Sequence, residues 1–279
     1  GGTYHVAAHL PAGSRYMSTG EREVTVTAGS STTVTLTVKA KDAHIDGALW
    51  DPRNQDVVEG VDAGVLAWAG GNWVATAVDP GNGTYKMDVA PGVWHLGYRV
   101  DPQSDYVQLL HHKNVPVASG QTVHVPLPVA ERDATISGTV LGPDGSPLAG
   151  AKVIADGVGP VVDHLWLSTR SGDDGSFRLA VPYGDYHLGA TMGPTGTIKP
   201  AIHHVSVPAG GVSGGHVLQF RRPDAVISGT VTVSSTTGVT GTVLVWAWSE
   251  DDDFVHARVP VTDSLGTYSL DVISNTTWH

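Results

Sequence analysis

The sequence predicts an all-β protein, built as a tandem array of β-sandwiches. Three observations favour this fold class: segments in which β-branched and polar residues alternate, turn signals at short intervals, and an internal repeat with a period of 91 residues. No segment combines the roughly 3.6-residue apolar spacing of an amphipathic helix with capping residues. Many short strands separated by regular turns are typical of antiparallel sandwiches rather than parallel sheets.

Four columns of similar residues carry the repeat. The first is an Asp-Ala-x-Ile-x-Gly opening at residues 42–47, 133–138 and 224–229. The second is a Gly-x-Tyr/Phe segment at 83–89, 175–181 and 266–272. The third is an aromatic residue followed by His5, His95, His187 or His279, and the fourth is a Val-x-Val pair at 24–26, 115–117 and 205–207. Columns that keep one period indicate a single module used about three times.

Each module is predicted to consist of short strands and tight turns. Residues 33–38 (Thr-Val-Thr-Leu-Thr-Val) alternate as a half-buried strand does, and residues 241–245 do so more loosely. Gly, Pro and Asp cluster where turns are expected, at 79–83, 142–145, 173–175 and 182–184. The aromatic residues of the second and third columns are expected to point inward and to supply much of each core.

Residues 136–188 resemble the carboxypeptidase regulatory-like domain. In order, they contain Ile-Ser-Gly-Thr-Val, Pro-Asp-Gly-Ser-Pro-Leu-Ala-Gly-Ala-Lys-Val, Asp-Asp-Gly-Ser-Phe-Arg-Leu and Pro-Tyr-Gly-Asp-Tyr-His-Leu. The resemblance implies a transthyretin-like, seven-stranded Greek-key sandwich, as found in bacterial or archaeal surface proteins, and it implies no catalytic residue. The module that opens at residue 42 departs from the pattern at 50–54, and the one that opens at residue 224 is rich in Ser and Thr at 234–238.

The phase of the repeat divides the chain into four parts. Residues 42–132 (the first module) and 133–223 (the second module) are expected to be complete sandwiches. Residues 1–41 (the N-terminal segment) match the back of a module, and residues 224–279 (the C-terminal segment) match the front; together they contain 97 residues. Each segment alone would expose strand edges and half of an apolar core. Three arrangements stay open: further modules in a longer chain, completion by a neighbouring molecule, or closure of the two segments within one ring.

The strands that would meet at such a seam are predicted from the repeat columns. Their residues are Tyr4, His5, Val24, Val26, Val34, Leu36, Val38, Tyr268, Leu270 and Trp278. A contact between unlike surfaces of identical molecules is heterologous and generates a filament. Addition of a strand to an open sheet edge is an established mode of protein recognition.

Composition and charge argue against several classes of function. The formal net charge is −11, with 16 Lys and Arg against 27 Asp and Glu, which disfavours a nucleic-acid-binding surface. No apolar run approaches the roughly 18 residues of a membrane helix, so membrane insertion of this segment is not expected. The chain has no Cys, which excludes disulfides and thiol catalysis. It opens at Gly1 without Met or a signal peptide, as a processed or partial product would.

Neither a catalytic site nor a cofactor or metal site is predicted. The sequence lacks Gly-x-Ser-x-Gly, His-Glu-x-x-His and phosphate-loop motifs. Its 14 His include the pairs His111-His112 and His203-His204, but adjacent strand residues point to opposite faces and cannot chelate one ion together. The acidic run at 250–253 lacks the spacing of a calcium loop. No Lys stands on the opening strands at 43–46 and 134–137, so no intramolecular isopeptide bond is expected.

The sequence therefore predicts a non-enzymatic structural protein of an extracellular fibre, stalk or cell-surface adhesin. Its expected partner is itself, head to tail, or further repeats of a longer chain. The alternative is a carbohydrate-binding accessory region of a larger secreted enzyme. Trp246 and Trp248 share a strand face and are the candidate sugar platform, unless they pack inward or between modules. Asn82 and Asn275 lie in glycosylation sequons.

Overall fold

The computed structural model describes residues 1–11, 13–110, 112–234, 240–249, 254–261 and 265–279, with the backbone alone for 254–259. These residues form strands, turns and loops and contain no helix, which confirms the all-β prediction. No helix able to span a membrane therefore occurs among them. The chain divides into two compact units, Gly1–Glu131 and Arg132–His279.

The first unit contains the N-terminal segment and the first module. Its strands are β1 (Gly2–Val6), β2 (Tyr16–Ser18), β3 (Arg22–Val26), β4 (Val38–Ala40), β5 (Ala43–Asp51), β6 (Asp56–Val57), β7 (Ala63–Ala69), β8 (Asn72–Ala77), β9 (Thr84–Val89), β10 (Gly92–Val100), β11 (Tyr106–Gln108), β12 (His112–Val117), β13 (Thr122–His124) and β14 (Leu127–Glu131).

The first module is a sandwich of two sheets. One sheet has the order β12-β10-β7-β8. In the other, β5 pairs antiparallel with β9 on one side and parallel with β13 and β14 on the other. Apolar residues alternate with polar ones along β9, and the side chains that face inward join those of β7 and β10 in one continuous core.

The N-terminal segment forms two small ribbons. β1 pairs with β3, and β2 pairs with β4. The β2–β4 ribbon lies against the first module, because Met17 is buried in that module's core and the Asn72 side-chain amide donates a hydrogen bond to the Ser18 carbonyl (2.7 Å). The β1–β3 ribbon pairs with no other strand of the described residues.

The second unit contains the second module and the C-terminal segment. Its strands are β15 (Ala134–Leu141), β16 (Lys152–Val158), β17 (Trp166–Arg170), β18 (Ser176–Val181), β19 (Gly184–Thr191), β20 (His203–Val207), β21 (Val212–Gln219), β22 (Ala225–Thr232), β23 (Gly241–Trp248), β24 (Phe254–Val261) and β25 (Leu265–Val272).

The second module shows the repeating unit in its simplest form. Seven strands, β15 to β21, form one sheet of order β18-β15-β21 and another of order β17-β16-β19-β20. The central β15 is antiparallel to β18 and parallel to β21. Ile136 from the first sheet and Leu188 from the second are fully buried, so the two sheets enclose an apolar core.

Turn positions agree with the sequence prediction. Gly83, Gly145 and Gly175 close predicted turns with φ angles of 68°, 80° and 72°, a left-handed region that costs glycine little. Gly175 has a second constraint, since a Cβ there would lie 2.6 Å from the Val140 carbonyl oxygen.

The C-terminal segment contains two separate strand pairs. β22 pairs with β25, and β23 pairs with β24. In the complete second module the equivalent of β22 is paired on both sides, as is the equivalent of β23. Each of these two strands of the segment therefore has an edge that pairs with no other strand of the described residues, apart from a short contact of 248–249 with 278–279.

One predicted strand does not form. Residues 33–38 were expected to be a strand, but residues 33–37 form none, and β4 begins only at Val38. The physical reason is the missing partner: the equivalent β13, β14 and β21 all pair in parallel with the first strand of a module, and the N-terminal segment contains no such strand.

Candidate functional site

The N-terminal ribbon reproduces one edge of a complete module, residue for residue. In the first module Trp94 on β10 lies opposite Val115 on β12, and in the second Tyr186 on β19 lies opposite Val205 on β20. In the ribbon, Tyr4 lies opposite Val24 in the same antiparallel pairing. β1 and β3 thus correspond to the fifth and sixth strands of a module, without the sheet that those strands normally extend.

The exposure of the aromatic column follows from that difference. Trp94 is 3% exposed and Tyr186 is 1% exposed, which confirms that this column points inward in the complete modules. Tyr4 is 56% exposed. Val24, Val26, Val34 and Leu36 are half-buried and Val38 is exposed. Their counterparts in the first module are all buried: Val115, Val117, Val125, Leu127 and Val129. The N-terminal segment therefore has the apolar pattern of a module, but its apolar side chains are less buried than those of the first module.

The C-terminal segment reproduces the other half of a module. On β22 and β25, Ile227 lies opposite Leu270 and Gly229 opposite Tyr268. The second module pairs Ile136 with Leu179 and Gly138 with Phe177 in the same way. Leu270 is buried, but Ile227 and Tyr268 are only half-buried. The segment thus has the register of the front half of a sandwich, with two of these core positions only half-buried.

Glycine at the end of the opening column has a structural role that the sequence analysis missed. A Cβ on Gly47 would overlap the carbonyl oxygen of Val125, and a Cβ on Gly138 would overlap that of His216. In both modules the last strand crosses close to the first strand at this point, and only glycine leaves room. The three atoms nearest to a Cβ on Gly229 all belong to Tyr268, and no carbonyl oxygen is among them.

A tyrosine hydroxyl marks the same position. Tyr85 donates a hydrogen bond to the Val125 carbonyl (2.8 Å) from inside the first module, where burial, with Asp46 adding to it, raises the pKa of the Tyr85 hydroxyl above its ordinary value. Tyr268 stands at the equivalent place beside Gly229. Its hydroxyl makes no hydrogen bond to any described residue.

The remaining predicted seam residues lie at the margins of the two half-sandwiches. Trp278 is half-buried against the small C-terminal core, and its indole donates to the Ile273 carbonyl (2.9 Å). His5 is exposed beside Glu21, with Nδ1 3.4 Å from the carboxylate oxygen. His5 therefore lies on the outer face of the ribbon, opposite the face that carries Tyr4.

The candidate sugar platform is not flat. Trp246 and Trp248 are exposed on the outer face of β23, but their rings stack on each other, with centroids 4.9 Å apart and planes 28° apart. His279 stacks on Trp248 in turn, at 5.6 Å and 27°. Both tryptophan rings therefore already have an aromatic neighbour, and sugar binding by Trp246 and Trp248 stays a prediction.

Among the described residues, no group of three or more His, Asp or Glu side chains converges as a metal centre requires. His203 and His216 contact each other at 5.9 Å, and His187 contacts His204 at 4.5 Å. His111 and the acidic run 250–253 lie outside the described residues. The side chain of Asn275 is exposed, as is that of Asn82.

Comparison with known proteins supports the family resemblance for the second module. Residues 135–215 match the family model of the carboxypeptidase regulatory-like domain. No curated protein matches the chain.

Solved structures similar to this chain include a TIE protein and two pilins. The TIE protein of Bacillus anthracis is 14% identical over 90% of this chain and 47% of its own, with a TM-score of 0.31. A streptococcal ancillary pilin is 17% identical over 79% of this chain and 75% of its own (TM-score 0.36), and the minor pilin of Streptococcus agalactiae is 11% identical over 64% and 95% (TM-score 0.35). The chain spans about half the length of the first of these.

Proposed function

We propose that this chain is a non-enzymatic structural component of an extracellular or cell-surface fibre, in which β-sandwich modules are joined head to tail. The C-terminal segment supplies the first four strands of a module, and strands equivalent to the N-terminal segment supply the last three. The observation that carries the proposal is the repeated register: the two segments pair internally as the two halves of the complete modules do.

Completion would add strands at two open edges. The segment 33–38 would enter parallel to β22, where the gap at Gly229 admits its backbone and Tyr268 can donate to the carbonyl of Val34. β1 would replace residues 277–279, which pair with 248–249 at the place of a fifth strand, and β3 would extend the β23–β24 sheet beyond it. Main-chain hydrogen bonds hold such a strand, and side-chain pockets fix its register.

Burial of apolar side chains supplies the driving force. Tyr4, Val24 and Leu36 would move from an exposed or half-buried state to the full burial of their counterparts in the complete modules. Full burial of one such side chain contributes about 1.5–3 kcal/mol. Because the two surfaces differ, each molecule that accepts strands still has its own strands to donate, and the assembly grows as a filament.

Sedimentation velocity of the full chain over a range of concentrations tests completion in trans. We expect oligomers whose size increases with concentration. The variant Val24→Asp places a charge on the face of β3 that becomes buried, and it should stay monomeric.

The matched control is Thr25→Asp, which places the same charge on the neighbouring, outward-facing residue. This variant should assemble as the unmodified chain does. A chain that is monomeric at every concentration would rule out completion by another molecule, and equal assembly of both variants would show that β3 is not part of the seam.

A further inference from the structure

The second module carries a groove on the outer face of its four-stranded sheet. Its volume is about 290 Å³, close to the lower end of the range for small-molecule sites, roughly 300–1,000 Å³. Strands β16, β17 and β19 form its floor and one end, and residues 199–202 form the other side. Gly189 lies on this floor, and a Cβ there would meet open space.

One row of side chains crosses the sheet at the end of the groove. Asp156 on β16 lies opposite both Trp166 on β17 and His187 on β19. Trp166 is 63% exposed, and Ile154 in the next row lies opposite Gly189. The groove thus offers an aromatic ring, an apolar floor and two groups that can hydrogen-bond to hydroxyls.

Three polar groups of the groove have no partner within the described part of the chain. The Asp156 carboxylate, the Lys199 ammonium group and the Trp166 indole N–H make no hydrogen bond or ion pair there. Lys152 places its ammonium group 4.9 Å from the Trp166 ring centroid. The lining thus includes one ammonium group, that of Lys199, that is free to pair with an anionic group of a ligand.

We propose that this groove binds a saccharide that carries a carboxylate. A pyranose ring stacks its C–H face on Trp166, its hydroxyls hydrogen-bond to Asp156 and His187, and the sugar carboxylate pairs with Lys199. The unpaired Lys199 ammonium group favours an acidic sugar over a neutral one. The volume of the groove fits one or two sugar rings. This site is separate from the stacked Trp246 and Trp248 and does not depend on assembly.

The first module provides a control surface. Trp73 on β8 lies opposite Trp68, which lies opposite His95, in the same row that Trp166, Asp156 and His187 form. Trp73 is 69% exposed. The Asp of the second module is replaced by Trp68, and Gly97, the counterpart of Gly189, is buried. The first module therefore has an exposed tryptophan in the same row, but lacks the open floor at glycine and the Asp carboxylate of the second module.

Ligand-observed NMR titration of the full chain tests the proposal with two matched probes, cellobiouronic acid and cellobiose. We expect the acid to bind with a dissociation constant on the order of 1 mM or lower, at least threefold more tightly than cellobiose. Trp166→Ala should weaken binding of the acid about tenfold, which corresponds to a loss of about 1.4 kcal/mol of binding free energy. Trp73→Ala should leave binding of the acid unchanged.

Lys199→Gln separates charge recognition from stacking. Because Lys199 is exposed on a loop, the substitution leaves the fold intact, which a melting curve checks. It should remove the preference for the acid while cellobiose binding stays the same. Failure of both sugars to bind up to about 20 mM, or equal binding by the chain and Trp166→Ala, would overturn the proposal.

Discussion

Alanine at equivalent glycines should have opposite consequences in a complete and in a half module. In Gly138→Ala the new Cβ overlaps the His216 carbonyl oxygen on β21 and approaches Phe177 Cε1 to 2.9 Å. A backbone carbonyl cannot rotate away as a side chain can, so β15 and β21 must separate. In Gly229→Ala the three atoms nearest to the Cβ are the hydroxyl oxygen, Cε1 and Cζ of Tyr268, at 2.7 to 2.8 Å. Both variants share the contact with an aromatic side chain. The difference between their effects on stability therefore reports the overlap with the last strand of the module.

The magnitude follows from the packing of the two strands. β15 and β21 bury Ile136, Val140 and Leu218 completely. Overpacking of a core costs about 1–3 kcal/mol, and a backbone overlap belongs at the upper end, about 3 kcal/mol. For a module of about 90 residues this corresponds to a melting temperature lower by roughly 12–24 °C. Gly229→Ala should leave the melting of the second module unchanged and abolish concentration-dependent assembly.

Hydrogen exchange read by mass spectrometry assigns each effect to its strands, and sedimentation velocity reports assembly. Gly138→Ala should lose amide protection in β15 and β21 at every protein concentration. Gly229→Ala should change protection only under conditions where the unmodified chain is assembled. Wild-type protection of β15 in Gly138→Ala would refute the steric argument, and full assembly of Gly229→Ala would refute entry of a strand beside β22.

Two further predictions concern completion of the half-sandwich and its response to pH. A chain in which residues 6–41 are appended after His279 should be monomeric and should protect the amides of β22, as hydrogen exchange would measure; oligomers of the usual size would contradict completion by those strands. Burial, with His203 adding to it, lowers the pKa of His216 below 6.5, so the unfolded chain binds more protons in acid and the stability of the second module falls as the pH drops below that value. Urea unfolding across this pH range should show that acid lowers the stability of His216→Gln less than that of the unmodified chain. An identical pH dependence in the two proteins would be evidence against this role of His216.

The sequence was informative where a residue's environment depends on its own module. Glycine turns and the inward aromatics Tyr85, Phe177, Trp94 and Tyr186 follow from local pattern, because β alternation and left-handed φ angles are local properties. The repeat columns also predicted which residues share a register. These features are confirmed wherever all strands of a module are present.

Local pattern was insufficient where a residue's environment depends on a partner strand. Residues 33–37 have an ideal strand pattern but form no strand among the described residues, because their expected neighbour is the first strand of a module. The groove is hidden for a related reason: Trp166, Asp156 and His187 are distant in sequence, and only sheet register brings them into one row. The signal for Gly229 was present in the opening column, but only the crossing strands of the complete modules explain it.

The aromatic column joins these observations into one physical argument. Tyr4 and Tyr186 occupy the same register position beside a valine, yet one is exposed and the other buried. The ribbon forms without its sheet, so its pairing is encoded locally, whereas burial of the tyrosine requires the sheet formed by the second and third strands of a module. A half that is already paired in the correct register has less conformational entropy to lose when it meets its complement. Assembly by completion should therefore be limited by the encounter of two preformed halves, and substitutions that preserve the β1–β3 pairing but remove Tyr4 should weaken the seam mainly by speeding dissociation.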